Sequence, residues 1–168
     1  MTAPVRMALV STAGHCAVAC SFCFRADRAR GFLTTATYAR ALSRLKEAGV
    51  EGVCLTGGEP THHPELRQLV RLALQFGMTV SMVTSARLEV EVTALAEVGR
   101  LLTNVTVSAD SQGAMALGRT TRTAASAVAT LDAVDTASKV LHLTYWDVDN
   151  EEAAQLANLV WERGSMSS

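Results

Sequence analysis

Short apolar runs alternate with longer stretches of helical spacing along nearly the whole chain. Val5 to Ser11 reads as a first strand. From Thr34 to Ala48, Tyr38, Leu42 and Leu45 recur at helical spacing, and Gly49 ends that run. Val53 to Thr56 is a short buried strand closed by Gly57 and Gly58. Pro64 to Phe76 places Leu66, Leu69, Val70, Leu72 and Ala73 on one helical face before Gly77. The spacing then predicts a strand over Met78 to Thr84, a helix over Leu88 to Val98 and a strand over Leu102 to Ala109. After a polar, Gly-containing loop come an Ala-rich helix over Thr123 to Val134, a strand over Lys139 to Trp146 and a last helix over Asn150 to Arg163. Asn150 is that helix's N-cap, and acids fill its first turn.

Five βα units of about 30 residues each result, the usual size of the unit. Such alternation implies an α/β fold with a parallel sheet, whose ligands belong at the carboxyl ends of the strands. The Cys-bearing loop, Gly57-Gly58-Glu59-Pro60, Thr84-Ser85, Ser108-Ala109-Asp110 and Tyr145-Trp146-Asp147 collect there. The chain of 168 residues is too short for a closed eight-unit barrel, which takes roughly 250. No Pro/Gly/Ser-rich linker divides it, so one domain over 1–168 is expected, with 165–168 a frayed tail.

Composition supports a packed core: 49% of residues are hydrophobic and 18% charged. A net charge of −1 gives no global field that would recruit nucleic acid or a membrane surface. No apolar run reaches the ~18 residues of a membrane span, and a cytoplasmic protein is the expectation. Charge is unevenly spread. Residues 1–50 hold six Arg and one Lys against Asp27 and Glu47, while residues 147–168 hold five acids against Arg163.

Three of the four cysteines, Cys16, Cys20 and Cys23, fall within eight residues; the fourth, Cys54, lies inside a predicted strand and reads as a small core residue. Such crowding points to a metal centre rather than a disulfide framework. A structural zinc site wants four protein ligands, and His15, Cys54, His62 and His63 are the available fourths. A [4Fe–4S] cluster held by three thiolates instead leaves one iron open to a small molecule.

The segment His15-Cys16-Ala17-Val18-Ala19-Cys20-Ser21-Phe22-Cys23-Phe24 resembles the CX3CX2C cluster loop of the radical SAM enzymes. Leu55-Thr56-Gly57-Gly58-Glu59-Pro60-Thr61 resembles that family's GGEP strand end, following one βα unit later. The resemblance runs from Val5 through Trp146 and implies a partial (βα) barrel of about five to six units. It also implies a [4Fe–4S] cluster on Cys16, Cys20 and Cys23, with S-adenosylmethionine on the open iron. In that family, reductive cleavage of S-adenosylmethionine releases a 5′-deoxyadenosyl radical that abstracts hydrogen from substrate. On the cofactor side the resemblance places Phe22 against adenine, Gly57 and Gly58 at a close backbone approach, and Glu59 near the methionine ammonium. Thr84, Ser108 and Asp110 are carried as further contacts. Many relatives have Thr-Asn-Gly where this chain has Thr84-Ser85-Ala86. Because the cysteines lie on a different loop, a bulky residue at Gly58 is expected to spare the cluster.

The remaining polar residues read more blandly. His62 and His63 are expected in solvated or capping roles, and His15 is a candidate for tuning the cluster. Arg25, Arg28 and Arg30 are either a solvated loop or a basic surface for an anionic substrate or an acidic donor such as flavodoxin or ferredoxin. Arg119 carries the same two readings. Tyr145 and Trp146 either line the pocket or pack in the core. Five units instead of six leave a strand edge open after Trp146, which a second copy or a partner protein is expected to cover. The leading function is a tailoring enzyme acting on a small molecule or short peptide. The alternatives are an activase that makes a glycyl radical on a partner, a viperin-like nucleotide-modifying enzyme, and a noncatalytic zinc or Fe–S module.

Overall fold

The computed structural model describes residues 5–16, 31–110, 123–144 and 158. Five strands and four helices alternate along the described chain: β1 (Met7–Ala13), α1 (Thr35–Glu47), β2 (Gly52–Gly57), α2 (Leu66–Gln75), β3 (Thr79–Thr84), α3 (Glu89–Val98), β4 (Asn104–Asp110), α4 (Ala124–Ala133) and β5 (Lys139–Thr144). Short 3₁₀ turns cover Pro60–His62 and Gly99–Leu101. Each element overlaps its sequence expectation and differs by a few residues at its ends. Apart from Asn158, which is helical, the last helix expected, over Asn150 to Arg163, and the end of the last strand at Tyr145 and Trp146 lie outside the described residues.

The helix starts follow from local chemistry. Thr34 caps α1 by accepting from the Thr37 N–H at 3.2 Å, and Thr123 caps α4 by accepting from the Ser126 N–H at 3.2 Å. Leu66, Leu69, Val70 and Ala73 of α2 are all buried, as their helical spacing requires.

All four strand pairings are parallel, and the spatial order is β1-β2-β3-β4-β5. A doubly wound sheet reverses direction at a switch point; this one never reverses, so it is a segment of a barrel wall. The row Val10, Leu55, Met82, Val105 runs across β1 to β4 in register. Leu55, Met82 and Val105 are fully buried with Tyr38 and Leu42 of α1 and Leu69 of α2 in one core. The adjacent row is Leu9, Cys54, Ser81 and Asn104, smaller and more polar. Alternation of side chains sends it to the opposite face. Both sheet edges present apolar groups: Val5, Met7 and Leu9 at the β1 edge, and Val140 on β5, are exposed. The expectation covered only the β5 side.

Tyr38 is the largest fully buried side chain, and its hydroxyl has no hydrogen-bond partner among the described residues. Burial pushes the phenol well above its ordinary value. An unpaired buried hydroxyl costs about 1–3 kcal/mol. Tyr38→Phe is therefore expected to raise stability by about 1 kcal/mol, read as a higher denaturant midpoint with an unchanged m-value.

Candidate functional site

The cysteine-bearing loop is closed at its base. Ala13 and Phe32 form an isolated antiparallel bridge, Gly14 N donates to Gly31 O at 2.8 Å, and Leu33 N donates to Thr12 O at 2.8 Å. The loop therefore leaves the carboxyl end of β1 and returns to the same point. Cys16 lies half-buried just inside it. Cys20, Phe22, Cys23, Phe24, Arg25, Arg28 and Arg30 lie outside the described residues, as does Arg119.

The glycine pair at the end of β2 meets that loop directly. Gly58 N donates to Ala13 O at 2.6 Å, and Glu59 N donates to His15 O at 2.8 Å. Gly57 has φ +145°, in the region that disfavours side chains, and a Cβ there would strike the Ala13 backbone. A Cβ on Gly58 would strike His15 O and approach Cys16 N at 3.1 Å. The close approach these glycines permit is thus to β1 and to the His15–Cys16 peptide. Gly58 and the backbone of the first cysteine are neighbours, so the glycine turn and the cysteine loop, separate in sequence, are in contact.

Glu59 is 1% exposed, yet its carboxylate is fully engaged. Oε1 accepts from Thr61 N at 3.2 Å, from Thr61 Oγ1 at 2.7 Å and from the Thr84 hydroxyl; Oε2 accepts from Ser85 N at 2.9 Å and Ser85 Oγ at 2.8 Å. Thr84, expected on the cofactor side, spends its hydroxyl on Glu59 and also accepts from Ala86 N at 3.0 Å.

Neither His62 nor His63 is a solvated surface residue. The Nδ1 atom of His63 accepts from Glu65 N at 3.0 Å, so its proton sits on Nε2, which donates to Leu33 O at 2.8 Å. The ring also packs edge-on against Phe32, with centroids 5.3 Å apart. His63 thus clamps the returning end of the loop. His62 Nε2 meets Glu91 Oε1 at 2.6 Å, and its ring lies 5.4 Å from that of His15. Both nitrogens of His63 and one of His62 are committed within the protein, and Cys54 is buried inside β2. No group of three or more His, Cys, Asp or Glu side chains gathers as a metal site among the described residues.

At the ends of β3 and β4, Arg87 Nη2 donates to Asp110 Oδ2 at 3.1 Å, with both side chains largely buried. Burial raises Asp110 above the ordinary carboxylate range, and the neighbouring Arg87 guanidinium and His142 pull it back. Arg87 Nε and Nη1 are buried and have no partner among the described residues. Ser108, half-buried, stands opposite His142 in the β4–β5 register. Sequence reading missed Glu91 and Arg87: their partners lie 29 and 23 residues away, and no local motif marks them.

The model of the family described as "Radical SAM superfamily" matches residues 10–157. A PqqA peptide cyclase of Ruegeria pomeroyi is 35% identical over 51% of this chain and 24% of its own length. An S-adenosylmethionine-dependent nucleotide dehydratase of a Thermoplasmatales archaeon is 34% identical over 51% of this chain and 31% of its own. The chain thus spans about a quarter to a third of the length of these curated relatives. Among solved structures, Streptococcus suis SuiB bound to S-adenosylmethionine superposes with a TM-score of 0.63 at 20% identity, over 91% of this chain and 37% of that one. The structure of anSMEcpe with AdoMet and a peptide gives 0.67 at 15% identity, over 96% and 49%. The fold is that of a partial barrel with the loop, the glycine turn and the buried carboxylates along one edge, the family's cofactors are a [4Fe–4S] cluster and S-adenosylmethionine, and this chain belongs to the radical SAM superfamily.

Proposed function

We propose that the chain is a radical SAM enzyme domain that cleaves S-adenosylmethionine reductively and acts on a peptide. The observation that carries this reading is the docking of Gly58 and Glu59 onto the His15–Cys16 peptide, which ties the first thiol to the strand ends where ligands bind. The donor set fits the cluster. Three thiols share one loop closed at its base, and of the possible fourth ligands His63 has both ring nitrogens engaged, His62 has Nε2 engaged and Cys54 is buried in β2, which favours three thiolates and one open coordination position. When bound, the cluster and S-adenosylmethionine supply a one-electron cleavage that yields a 5′-deoxyadenosyl radical able to take a hydrogen atom from substrate.

In this reading Cys16, Cys20 and Cys23 hold the cluster and Phe22 covers adenine. Gly57, Gly58 and Glu59 serve the cofactor through the backbone they fix, since the Glu59 oxygens are occupied by Thr61, Thr84 and Ser85. Ser108 and Asp110 border the ribose side, and the Nε and Nη1 of Arg87, without a partner among the described residues, suit an anionic group of a bound ligand. A peptide substrate is favoured because the PqqA peptide cyclases are relatives and SuiB, of like fold, has been solved with its precursor peptide SuiA. A second reading, action on a nucleotide, is favoured by the dehydratase relative. A flavodoxin or ferredoxin would deliver the electron, and a second copy or another protein would cover the open sheet edges. No helix among the described residues is long and apolar enough to cross a membrane.

The ligand assignment is checked by anaerobic reconstitution followed by chromatographic detection of 5′-deoxyadenosine. Cys16→Ala, Cys20→Ala and Cys23→Ala should each abolish cleavage, and Cys54→Ala should keep it; an equally dead Cys54→Ala would require a four-thiol site. Gly58→Val should lose most of its iron, because the added branches displace the His15–Cys16 peptide. Wild-type iron content in that variant would mean the contact is dispensable. Changing Arg25, Arg28 and Arg30 together to Gln should slow reduction by flavodoxin and flatten its salt dependence, with little effect on dithionite-driven turnover. Equal loss with both reductants would place these residues at the substrate instead.

A further inference from the structure

We propose that His62, held by Glu91, is a positioning residue for the cluster loop: it seats the His15 ring and thereby fixes the peptide that carries Cys16, which sets the cluster's reduction potential and its resistance to loss. This inference rests on the cluster reading above.

Glu91 is 2% exposed and anchored from two sides. Its Oε2 accepts from Arg87 N at 2.6 Å and Leu88 N at 3.0 Å, at the start of α3. That leaves Oε1 aimed at His62 Nε2, 2.6 Å away. The imidazole is 18% exposed in its side chain and cannot swing without breaking this bond. Its other anchor is the backbone: His62 N donates to Glu59 O at 3.2 Å, and Glu59 N donates to His15 O at 2.8 Å. His62 thus reaches His15 by two routes, through the Glu59 backbone and through ring contact. The His15 ring is otherwise exposed, and its one ring neighbour among the described residues is His62.

The consequence follows from outer-shell control of metal ligands. Groups that orient a ligand from behind are worth about 10–100-fold in metal affinity or activity. Fe–S potentials respond to hydrogen bonding and to solvent cover around the cluster. His15 and Cys16 share one peptide, whose carbonyl is held by Glu59 N, and the direction of that peptide decides where the Cys16 N–H points.

Two substitutions separate the components. His62→Phe keeps a ring against His15 and removes the bond to Glu91. His62→Gln keeps a donor for Glu91 and removes the ring. Both proteins are reconstituted anaerobically, checked for wild-type iron content and melting temperature, and then titrated electrochemically with the reduced cluster followed by electron paramagnetic resonance. Each should shift the midpoint by the equivalent of a tenfold change in the oxidised-to-reduced ratio, about 59 mV for one electron. Each should also lose iron to a chelator about tenfold faster than wild type. His15→Ala should produce a similar shift, and the double variant His15→Ala/His62→Phe should be no worse than either single one, because both act through one contact.

Wild-type potential and chelator resistance in His62→Phe and His62→Gln would overturn the proposal, as would additive effects in the double variant. If the His62 variants melt early, His15→Ala decides alone, since its exposed ring carries no core packing: a shift supports the proposal and none overturns it. A wild-type chain that takes up no iron removes the cluster reading as well, whereas loaded wild type with unmoved variants removes only this inference.

Discussion

Burying the Glu59 carboxylate is the constraint around which the carboxyl edge of this sheet is assembled. A charge taken out of water costs several kcal/mol unless its lone pairs are met by donors. Here the donors come from three places: the turn after β2, the last residue of β3 and the residue following it. Oε2 depends on Ser85 alone and Oε1 is shared between Thr61 and Thr84, so the ends of β2 and β3 are tied together through one carboxylate. The same residue's N–H holds His15 O, which passes the constraint to the start of the cysteine loop. Glu91 repeats the device one unit further on. One of its oxygens caps the start of α3 and the other holds His62. Two buried acids thus organise β1, β2, β3 and α3 at the carboxyl end of the sheet.

Much of this fold is legible in the sequence because it obeys local periodicity. The spacing of Leu66, Leu69, Val70 and Ala73 gives α2, and the alternation of units gives a parallel sheet. The segments that carry the two motifs follow β1 and β2, as the local periodicity places them. What escaped was the assignment of partners. Glu59 reads naturally as charge for an ammonium group, and nothing in Gly-Gly-Glu-Pro says that Thr84 and Ser85, 25 and 26 residues away, will consume its oxygens. Gly58 reads as space for a ligand, whereas the neighbour that requires glycine is the backbone of His15 and Cys16. The two adjacent histidines look equivalent in sequence. They take opposite ends of one loop because successive side chains on a turn diverge, and no linear pattern records which end each will meet.

The sequential strand order has its own consequence. With the strands in sequential order, β1 and β5 are the edges of the sheet among the described residues. Exposed Val5, Met7 and Leu9 on one side and Val140 on the other make those edges apolar as well as unpaired. Unpaired strand edges invite pairing with another chain. The row carrying Cys54, Ser81 and Asn104 is composed of small and polar side chains, so the face opposite the helices is not built as a second hydrophobic core. A wall of this kind leaves room beside the strand ends, and it makes shielding of a reactive intermediate depend on what occupies that room.

The turn between β3 and α3 shows how the carboxyl edge is kept rigid despite that openness. Ala86 is buried and adopts φ +38°, a left-handed conformation that costs an L-residue roughly 1–2 kcal/mol. Strain of this kind persists only where the surroundings over-determine it. The surroundings do so on both sides: Ser85 N and Ala86 N are bonded to Glu59 and Thr84, and Arg87 N and Leu88 N to Glu91. The reversal also carries the Arg87 side chain to Asp110 at the end of β4. The two acids therefore offset the strain of a turn whose product is a buried cation at the carboxyl edge of the sheet, so that the position of Arg87 is set by β2 and α3. Preorganisation of that sort lets a site with one open side hold its groups in fixed relation.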